Sequence, residues 1–373
     1  MDNIEDEALY AIALSEVKGL SLAAARVLYQ AAGSARMVYE ERKTLSHLVD
    51  NPSSEMCDAL SHMDEALSRA EREVLFSREH GIQILTPSHT NYPHRLNHCV
   101  DAPLVLYYKG KADLNAVHVV SVVGTRHCTD YGKQMCHRIA SDLAASLPDV
   151  LVVSGLAYGI DIKAHRAALE VGLDTVGVLA HGLDQIYPAL HRNTAIQMIN
   201  QGGLLTEFMS GINPVKMNFV RRNRIIAGLC DACIVVESAA KGGGLITASI
   251  AQSYNKEVFA VPGRVGDIYS EGCNRLIVKN EAFMLQDVAE LIKVMNWDAD
   301  VAKSREPKEG NLFASFSPEE QRIVDVLRGS EGKHINLLVS ETGLSVQALS
   351  SILFQLEMKG AIRVLPGAVY TLA

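Results

Sequence analysis

Positive charge is what this sequence has too little of. Its 35 Lys and Arg stand against 43 Asp and Glu, a formal net charge of −8. Non-specific affinity for nucleic acid comes from neutralising phosphates with cations. A polyanion binder that works by overall charge is therefore excluded, and any such site must be a local basic patch on an acidic body. Long apolar runs are missing too: none reaches the ~18 residues that a membrane span needs. The stretch MDNIEDEALYAIAL lacks the basic n-region and small-residue cleavage site of a secretory signal, so a cytoplasmic protein is expected. The seven cysteines (57, 99, 128, 136, 230, 233, 273) are odd in number and scattered, which reads as reduced thiols. Cys230-Asp-Ala-Cys233 is a CxxC without a second pair or a His pair at ligand spacing. Both cysteines flank the apolar run CIVVE and read as small core residues, so no metal and no cofactor is assigned.

Signature loops are scarce as well. There is no GxGxxG with an acid placed to read a ribose, no GxxxxGK[ST] for a nucleoside triphosphate and no GxSxG elbow. What is present is a hydrophobic content of 48%, enough for a large core in a chain of 373 residues, which suits two or three domains.

Residues 1–78 read as a small helical domain of helix-hairpin-helix or sterile-alpha-motif type, with Ser21 as a helix N-cap. Its loop has one Lys and no glycine pair, so a packing role is at least as well supported as phosphate contact. From 79 to 297 the pattern alternates. The apolar runs VHVVSVV, VLVVSG, DTVGVLA, GGLLTE, DACIVVE and KEVFAVPG are separated by helical segments at 131–147, 160–171, 192–200, 222–229 and 245–254. Continuous apolar strands, each followed by a helix, predict an α/β domain, doubly wound and mostly parallel in the Rossmann manner. Residues 298–316 are polar and broken by Pro307 and Gly310, a linker. Residues 317–373 carry Ser317-Pro318 at a helix start, two further helices and two short strands around Pro366-Gly367, the outline of a winged helix.

In open α/β sheets, ligands sit beyond the carboxyl ends of the strands. Those ends carry Gly124-Thr125-Arg126, Ser154-Gly155-Leu156-Ala157-Tyr158-Gly159-Ile160-Asp161, His181-Gly182-Leu183-Asp184 and Lys241-Gly242-Gly243-Gly244-Leu245-Ile246-Thr247. Glycines, hydroxyls and cations gathered at one edge point to an anion site. The sharpest segment is 216–224, where Lys216, Arg221, Arg222 and Arg224 surround Phe219 in an otherwise acidic chain. Cations serve phosphates, and an aromatic face stacks on bases without regard to sequence, at ~1–3 kcal/mol per base. Asp161 and His165 lie four apart and could form a base and its orienter. Support of the glycine-rich turn is the better reading, since no nucleophile or metal completes them.

The ordered set Asn91-Tyr92-Pro93, Ala102-Pro103, Val123-Gly124-Thr125-Arg126, Ser154-Gly155-Leu156-Ala157-Tyr158-Gly159-Ile160-Asp161, Gly182-Leu183-Asp184, Tyr187-Pro188, Glu207, Phe219, Arg222-Asn223-Arg224-Ile225-Ile226-Ala227-Gly228, Val261-Pro262-Gly263 and Gly272-Cys273-Asn274-Arg275 resembles the bacterial DNA-processing family DprA, also called Smf. The resemblance covers residues 80–290 and extends loosely to both flanks. It implies a non-enzymatic recombination mediator of natural transformation that binds and protects incoming single-stranded DNA, helps load the recombinase RecA, and dimerises through the Rossmann-like domain. It further implies DNA contacts at Arg126, Lys216 and Phe219, with Arg222, Arg224 and Arg192 behind them. Gly124, Ser154, Gly155, Gly159, Asn223, Lys241, Gly243 and Thr247 complete the expected DNA- and phosphate-binding set. Where the family usually shows Lys-Ser-Gly-Ala, this chain has Lys241-Gly242-Gly243-Gly244, so a hydroxyl that could cap the helix is lost.

The tail departs from a duplex reader, which needs cations on its recognition helix. Here that helix is VQALSSILFQLEMK, and 317–373 hold six acidic against five basic residues; a protein contact is expected of this module. Two rivals remain at this point. One is a Rossmann-like nucleotide phosphoribohydrolase, disfavoured because its glutamate after the glycine loop is missing. The other is a nucleotide-sensing regulator, disfavoured by the neutral recognition helix.

Overall fold

Short runs of β-branched and small apolar residues, each closed by a polar or glycine-rich turn, form the strands of a nine-stranded sheet. A computed structural model describes residues 2–298, 317–328, 332–358, 361–365 and 368–372. In chain order the strands are β1 (Gln83–Leu85), β2 (Leu106–Gly110), β3 (Val119–Val123), β4 (Leu151–Ser154), β5 (Thr175–Val178), β6 (Gly203–Thr206), β7 (Ala232–Val235), β8 (Glu257–Ala260) and β9 (Phe283–Met284). Their spatial order is β1-β2-β6-β5-β4-β3-β7-β8-β9. From β6 to β9 every pairing is parallel, whereas β2 pairs antiparallel with both β1 and β6. The expected doubly wound, mostly parallel sheet is the one observed, with an antiparallel margin added.

The helices before the sheet are α1 (Asp2–Ser15), α2 (Leu22–Ala32), α3 (Ala35–Glu41), α4 (Ser54–Ser61) and α5 (Met63–Glu79). Ser21 caps α2, its side chain accepting from the Ala24 amide at 3.1 Å. Within the sheet region follow α6 (His94–Asn97), α7 (Asp130–Ser146), α8 (Ile160–Glu170), α9 (Arg192–Gln201), α10 (Lys216–Leu229), α11 (Gly243–Ser253), α12 (Glu271–Val278) and α13 (Val288–Val294). Burial on both faces explains why the strands read as unbroken apolar runs. Val119, Val123, Val153 and Val235 face a core shared with α10 and α11, while Val120, Val122, Val152 and Ile234 face one shared with α7, α8 and α13. Cys230 and Cys233 are fully buried at β7, and burial raises both thiols, Cys230 to about 11.

The boundary expected at 78/79 is crossed by a continuous core. Leu28, Leu60 and Met63 of the helices pack with Leu104, Val105 and Tyr107 at β2, and with Met209. Alternation along β2 serves both cores, since Leu106 and Tyr108 point to the other one. Polar links reinforce the seam. Buried Arg26 donates to the Asn97 carbonyl at 2.5 Å, and Glu73, 2% exposed, accepts from the Ser210 amide at 2.9 Å and its hydroxyl at 2.6 Å. Residues 1–305 accordingly form one compact unit.

Most of the expected linker, 299–316, lies outside the described residues, as does Pro366-Gly367. The second unit holds α14 (Pro318–Leu327), α15 (Ile335–Thr342) and α16 (Val346–Met358), with a small sheet of β10 (Lys333–His334), β12 (Val369–Leu372) and β11 (Ile362–Leu365) in that order. Ser317 and Glu320 close a capping box on α14, with Pro318 at its first position. Ile323, Leu327, Leu338, Leu349, Leu353 and Leu356 make its core. Among the described residues, no single helix is long and apolar enough to cross a membrane.

Candidate functional site

Strand order reverses between β3 and β7. The chain leaves β3 toward β4 on one side and leaves β7 toward β8 on the other, so the two carboxyl-end loops diverge and open a crevice. A cavity of about 480 Å³ lies there. Three segments wall it: Gly124–His127 after β3, the first turns of α10, and the glycine loop that opens α11.

The β3 loop is held open by Glu237. Its main-chain oxygen accepts from the Thr125 amide at 2.7 Å, and its buried carboxylate accepts from the Thr129 amide (3.0 Å) and hydroxyl (2.5 Å). Gly124 serves close packing: a Cβ there would come within 2.6 Å of Ile160 and 2.7 Å of the Glu237 carbonyl oxygen, and a Cβ on Gly244 would lie 3.0 Å from Gly124 Cα. Helix α11 thus abuts the end of β3. Its cap, Gly242, offers no side chain, so no side chain caps the first amides of α11 at the positive end of the helix dipole. Thr247 is buried one turn on and bonds back to the Gly243 carbonyl at 3.4 Å.

Helix α10 begins six residues earlier than expected, at Lys216 rather than Arg222. The cation-rich segment is therefore a helix, and its periodicity separates the cations. Lys216 is exposed on the first turn and Phe219, half-buried, turns toward the cavity; both line it, as do Arg126, Asn223, Lys241 and Gly243. The Arg126 guanidinium sits 5.3 Å from the centroid of the Phe219 ring, and Tyr187 meets the same ring edge-on at 5.9 Å.

Arg222 and Arg224 face inward. Arg222, 3% exposed, donates to the Gly155 carbonyl at 2.6 Å and to that of Val178, fastening α10 to the ends of β4 and β5. Gly155 leaves the room for it, since a Cβ would fall 2.3 Å from the guanidinium. Burial lowers the Arg222 pKa to about 10, against the opposing charge of Asp161. Arg222 and Asp161 form the floor of the cavity. Burial raises the Asp161 carboxyl, and Arg222 opposes the rise. Arg224 does not line the cavity; it donates to the Asp101 carbonyl and to Glu207 at 2.5 Å, and Glu207 also takes Arg221 at 2.7 Å.

The remaining expected residues lie apart. Ser154 is buried and donates to the Val122 carbonyl at 2.6 Å. Gly159, at φ +78°, presses on the main chain of Thr125 and Arg126. Arg192 is exposed at the start of α9, outside the cavity. His165 is bonded away from the glycine-rich turn: its Nδ1 lies 2.7 Å from the Thr175 hydroxyl, which itself donates to the Val152 carbonyl at 2.9 Å. That makes Nδ1 the protonated nitrogen, and burial drives the ring down to about 3, a neutral histidine. Sequence reasoning missed His127 and Tyr269, whose rings stack at 6.1 Å on the cavity wall. It also missed Glu237, whose only signal was an acid closing the apolar run CIVVE.

The sequence model of the family described as DNA recombination-mediator protein A matches residues 83–296, and that of the DprA winged helix domain matches 305–368. The chain is 41% identical over 186 residues to the DNA processing protein DprA of Streptococcus pneumoniae, a match covering 50% of this chain and 65% of that protein. The X-ray structure of the S. pneumoniae protein superposes with a TM-score of 0.63 at 30% identity, covering 76% of this chain and 95% of the other. The Helicobacter pylori DNA processing protein A, whose structure is described in terms of a single-stranded DNA binding mode, superposes with a TM-score of 0.52 at 30% identity over 58% of this chain and 96% of that one. With the first family model spanning more than half of the sequence, this chain belongs to the DNA recombination-mediator protein A family.

Proposed function

We propose that the protein binds single-stranded DNA across the crevice between β3 and β7 and hands it to a RecA-type recombinase, protecting incoming strands during natural transformation. The observation that carries this is the pairing of Arg126 with Phe219 at the cavity mouth: a cation for a phosphate against a ring for a base, with Lys216 and Lys241 exposed beside them. Such a site grips any single strand, because backbone charge and stacking carry no sequence information. The H. pylori relative supports the choice of ligand. Gly124, Gly155 and Gly159 then act by fit, Asn223, Lys241, Gly243 and Thr247 by lining the groove, and Arg222 and Arg224 by holding α10 in place. We assign no chemical step to the site. The sheet domain pairs with a second copy so that two grooves act together, the winged helix contacts protein, and the protein works in the cytoplasm.

Fluorescence anisotropy with labelled oligo-dT, a matched duplex and a mononucleotide tests this on the wild type and on Arg126→Ala/Lys216→Ala. Tight binding of the single strand, weak binding of the duplex and a large loss in the double variant are expected. Binding of the mononucleotide as tightly as the long strand overturns it.

A further inference from the structure

Resting on that reading, we infer that the bound strand does not end at the cavity but continues over Tyr187 and Tyr158 toward Arg192, which form a second base-stacking and phosphate-binding step.

The Phe219 ring has two partners. Arg126 covers it on one side and Tyr187 abuts it edge-on, with centroids 5.9 Å apart and planes at 62°. Tyr187 is 46% exposed, so one part of its ring packs on Phe219 and the rest is open to a base. Its backbone is fixed: the Tyr187 amide donates to Nε2 of the buried His181, whose Nδ1 donates to the Gly182 carbonyl at 2.8 Å. Tyr158, also 46% exposed, is built in the same way. It sits edge-on to the buried His191 at 5.1 Å, and His191 Nδ1 donates to the Leu156 carbonyl at 2.9 Å. The neighbouring Gly159 packs on the Arg126 main chain, where a Cβ would lie 2.7 Å from Arg126 Cα. One exposed tyrosine thus adjoins Phe219 and the other the Arg126 loop, and each lies against a buried histidine.

Charge continues in the same direction. His191 is followed at once by Arg192, exposed at the first position of α9. Arg166, exposed on α8, donates to the hydroxyl of Thr194 at 3.2 Å, two residues along α9 from Arg192. An aromatic step flanked by Arg166 and Arg192 has the composition of a single-strand track, with rings for bases and cations for the backbone. It also gives Arg192, which the cavity does not reach, a phosphate to meet.

The test uses the full chain and two labelled strands of equal length, oligo-dT and an oligomer in which every base is replaced by an abasic site. For Tyr187→Ala and Tyr158→Ala, affinity for oligo-dT should fall on the order of ten- to a hundredfold while affinity for the abasic strand holds. Tyr187→Phe should bind as the wild type does. Arg192→Ala should weaken both strands alike and lower the salt slope by about one. Tyrosine variants that bind oligo-dT like the wild type overturn the inference and leave the cavity as the whole site. So does an equal loss on both strands, which would make the tyrosines scaffold. Failure of the wild type to bind oligo-dT would instead sink the reading of the cavity itself, and the extension with it.

Discussion

Arg126 stands over Phe219, its guanidinium carbon 5.3 Å from the ring centroid, although 93 positions separate them in the chain. Arg126 is exposed and Phe219 half-buried, so each limits the freedom of the other. In a double-mutant cycle on oligo-dT affinity, Arg126→Ala and Phe219→Ala should each weaken binding, and their effects should fall short of additivity by about 0.5–1 kcal/mol, the size of an exposed cation–π contact. Strict additivity would show that the two act on the strand independently.

The two arginines of the Arg222-Asn223-Arg224 motif should register in unfolding before they register in binding. Removing Arg222 strands Asp161 on the cavity floor and leaves two buried carbonyls without their donor. Arg222→Ala should lose about 3–5 kcal/mol of stability in urea without DNA present, and Arg222→Lys should recover only part of it, because the single nitrogen Nη1 bonds both carbonyls and an ammonium would have to reach the same point without the planar group that packs on Gly155. A normally stable Arg222→Ala with weakened DNA binding would return this residue to the contact surface.

Acid should strengthen DNA binding through Asp161. Its carboxyl is already raised by burial, and phosphates placed above it raise it further, so the bound state takes up a proton more readily than the free state. Affinity should therefore rise as pH falls toward the raised carboxyl pKa. Asp161→Asn should flatten that dependence and bind more tightly at neutral pH. An unchanged slope in the variant would place the linked proton elsewhere.

His165 should act on stability with the opposite sign. Its folded pKa of about 3 lies below the ordinary histidine value. The unfolded chain therefore takes the proton first, and stability is complete above about pH 6.5 and lost below it at up to ~1.4 kcal/mol per pH unit. Urea midpoints at pH 7.5 and 5.0 should separate more for the wild type than for His165→Gln, by the equivalent of roughly 2 kcal/mol. Equal separations would mean that the ring is protonated or exposed in the native state.

The sheet was legible because each of its central strands is buried on both faces and therefore announces itself within four or five residues. What the sequence concealed lies in long-range partners. Nothing near Arg222 in the chain hints that the Gly155 and Val178 carbonyls wait for it, and nothing near Arg224 points to Asp101. A cluster of cations beside an aromatic reads as one binding surface until the helix is seen to start at Lys216. Turning by 100° per residue then keeps Lys216, Phe219 and Arg222 on the cavity side, exposed at the first turn and buried by the second, and sends Arg224 to the far side toward Asp101 and Glu207. The helix start was itself hidden, since Val215 caps nothing and Met217, Phe219 and Val220 obscure the amphipathic pattern. The unity of the N-terminal helices with the sheet was equally out of reach, for a boundary read from composition cannot show that Tyr107 on β2 faces Leu28 and Met63.

The crevice between β3 and β7 is a hole made by the path of the chain. Two crossovers leave in opposite directions, and the exposed side chains on the rim take no part in holding the space between them, because the strands beneath are secured by their own cores. Occupancy and architecture are thus written in different parts of the sequence. Residues on the rim, such as Lys216, Lys241 and Gly243, can be exchanged to retune what is held without endangering the vessel, and this is the freedom a lineage needs to change its cargo while keeping its scaffold.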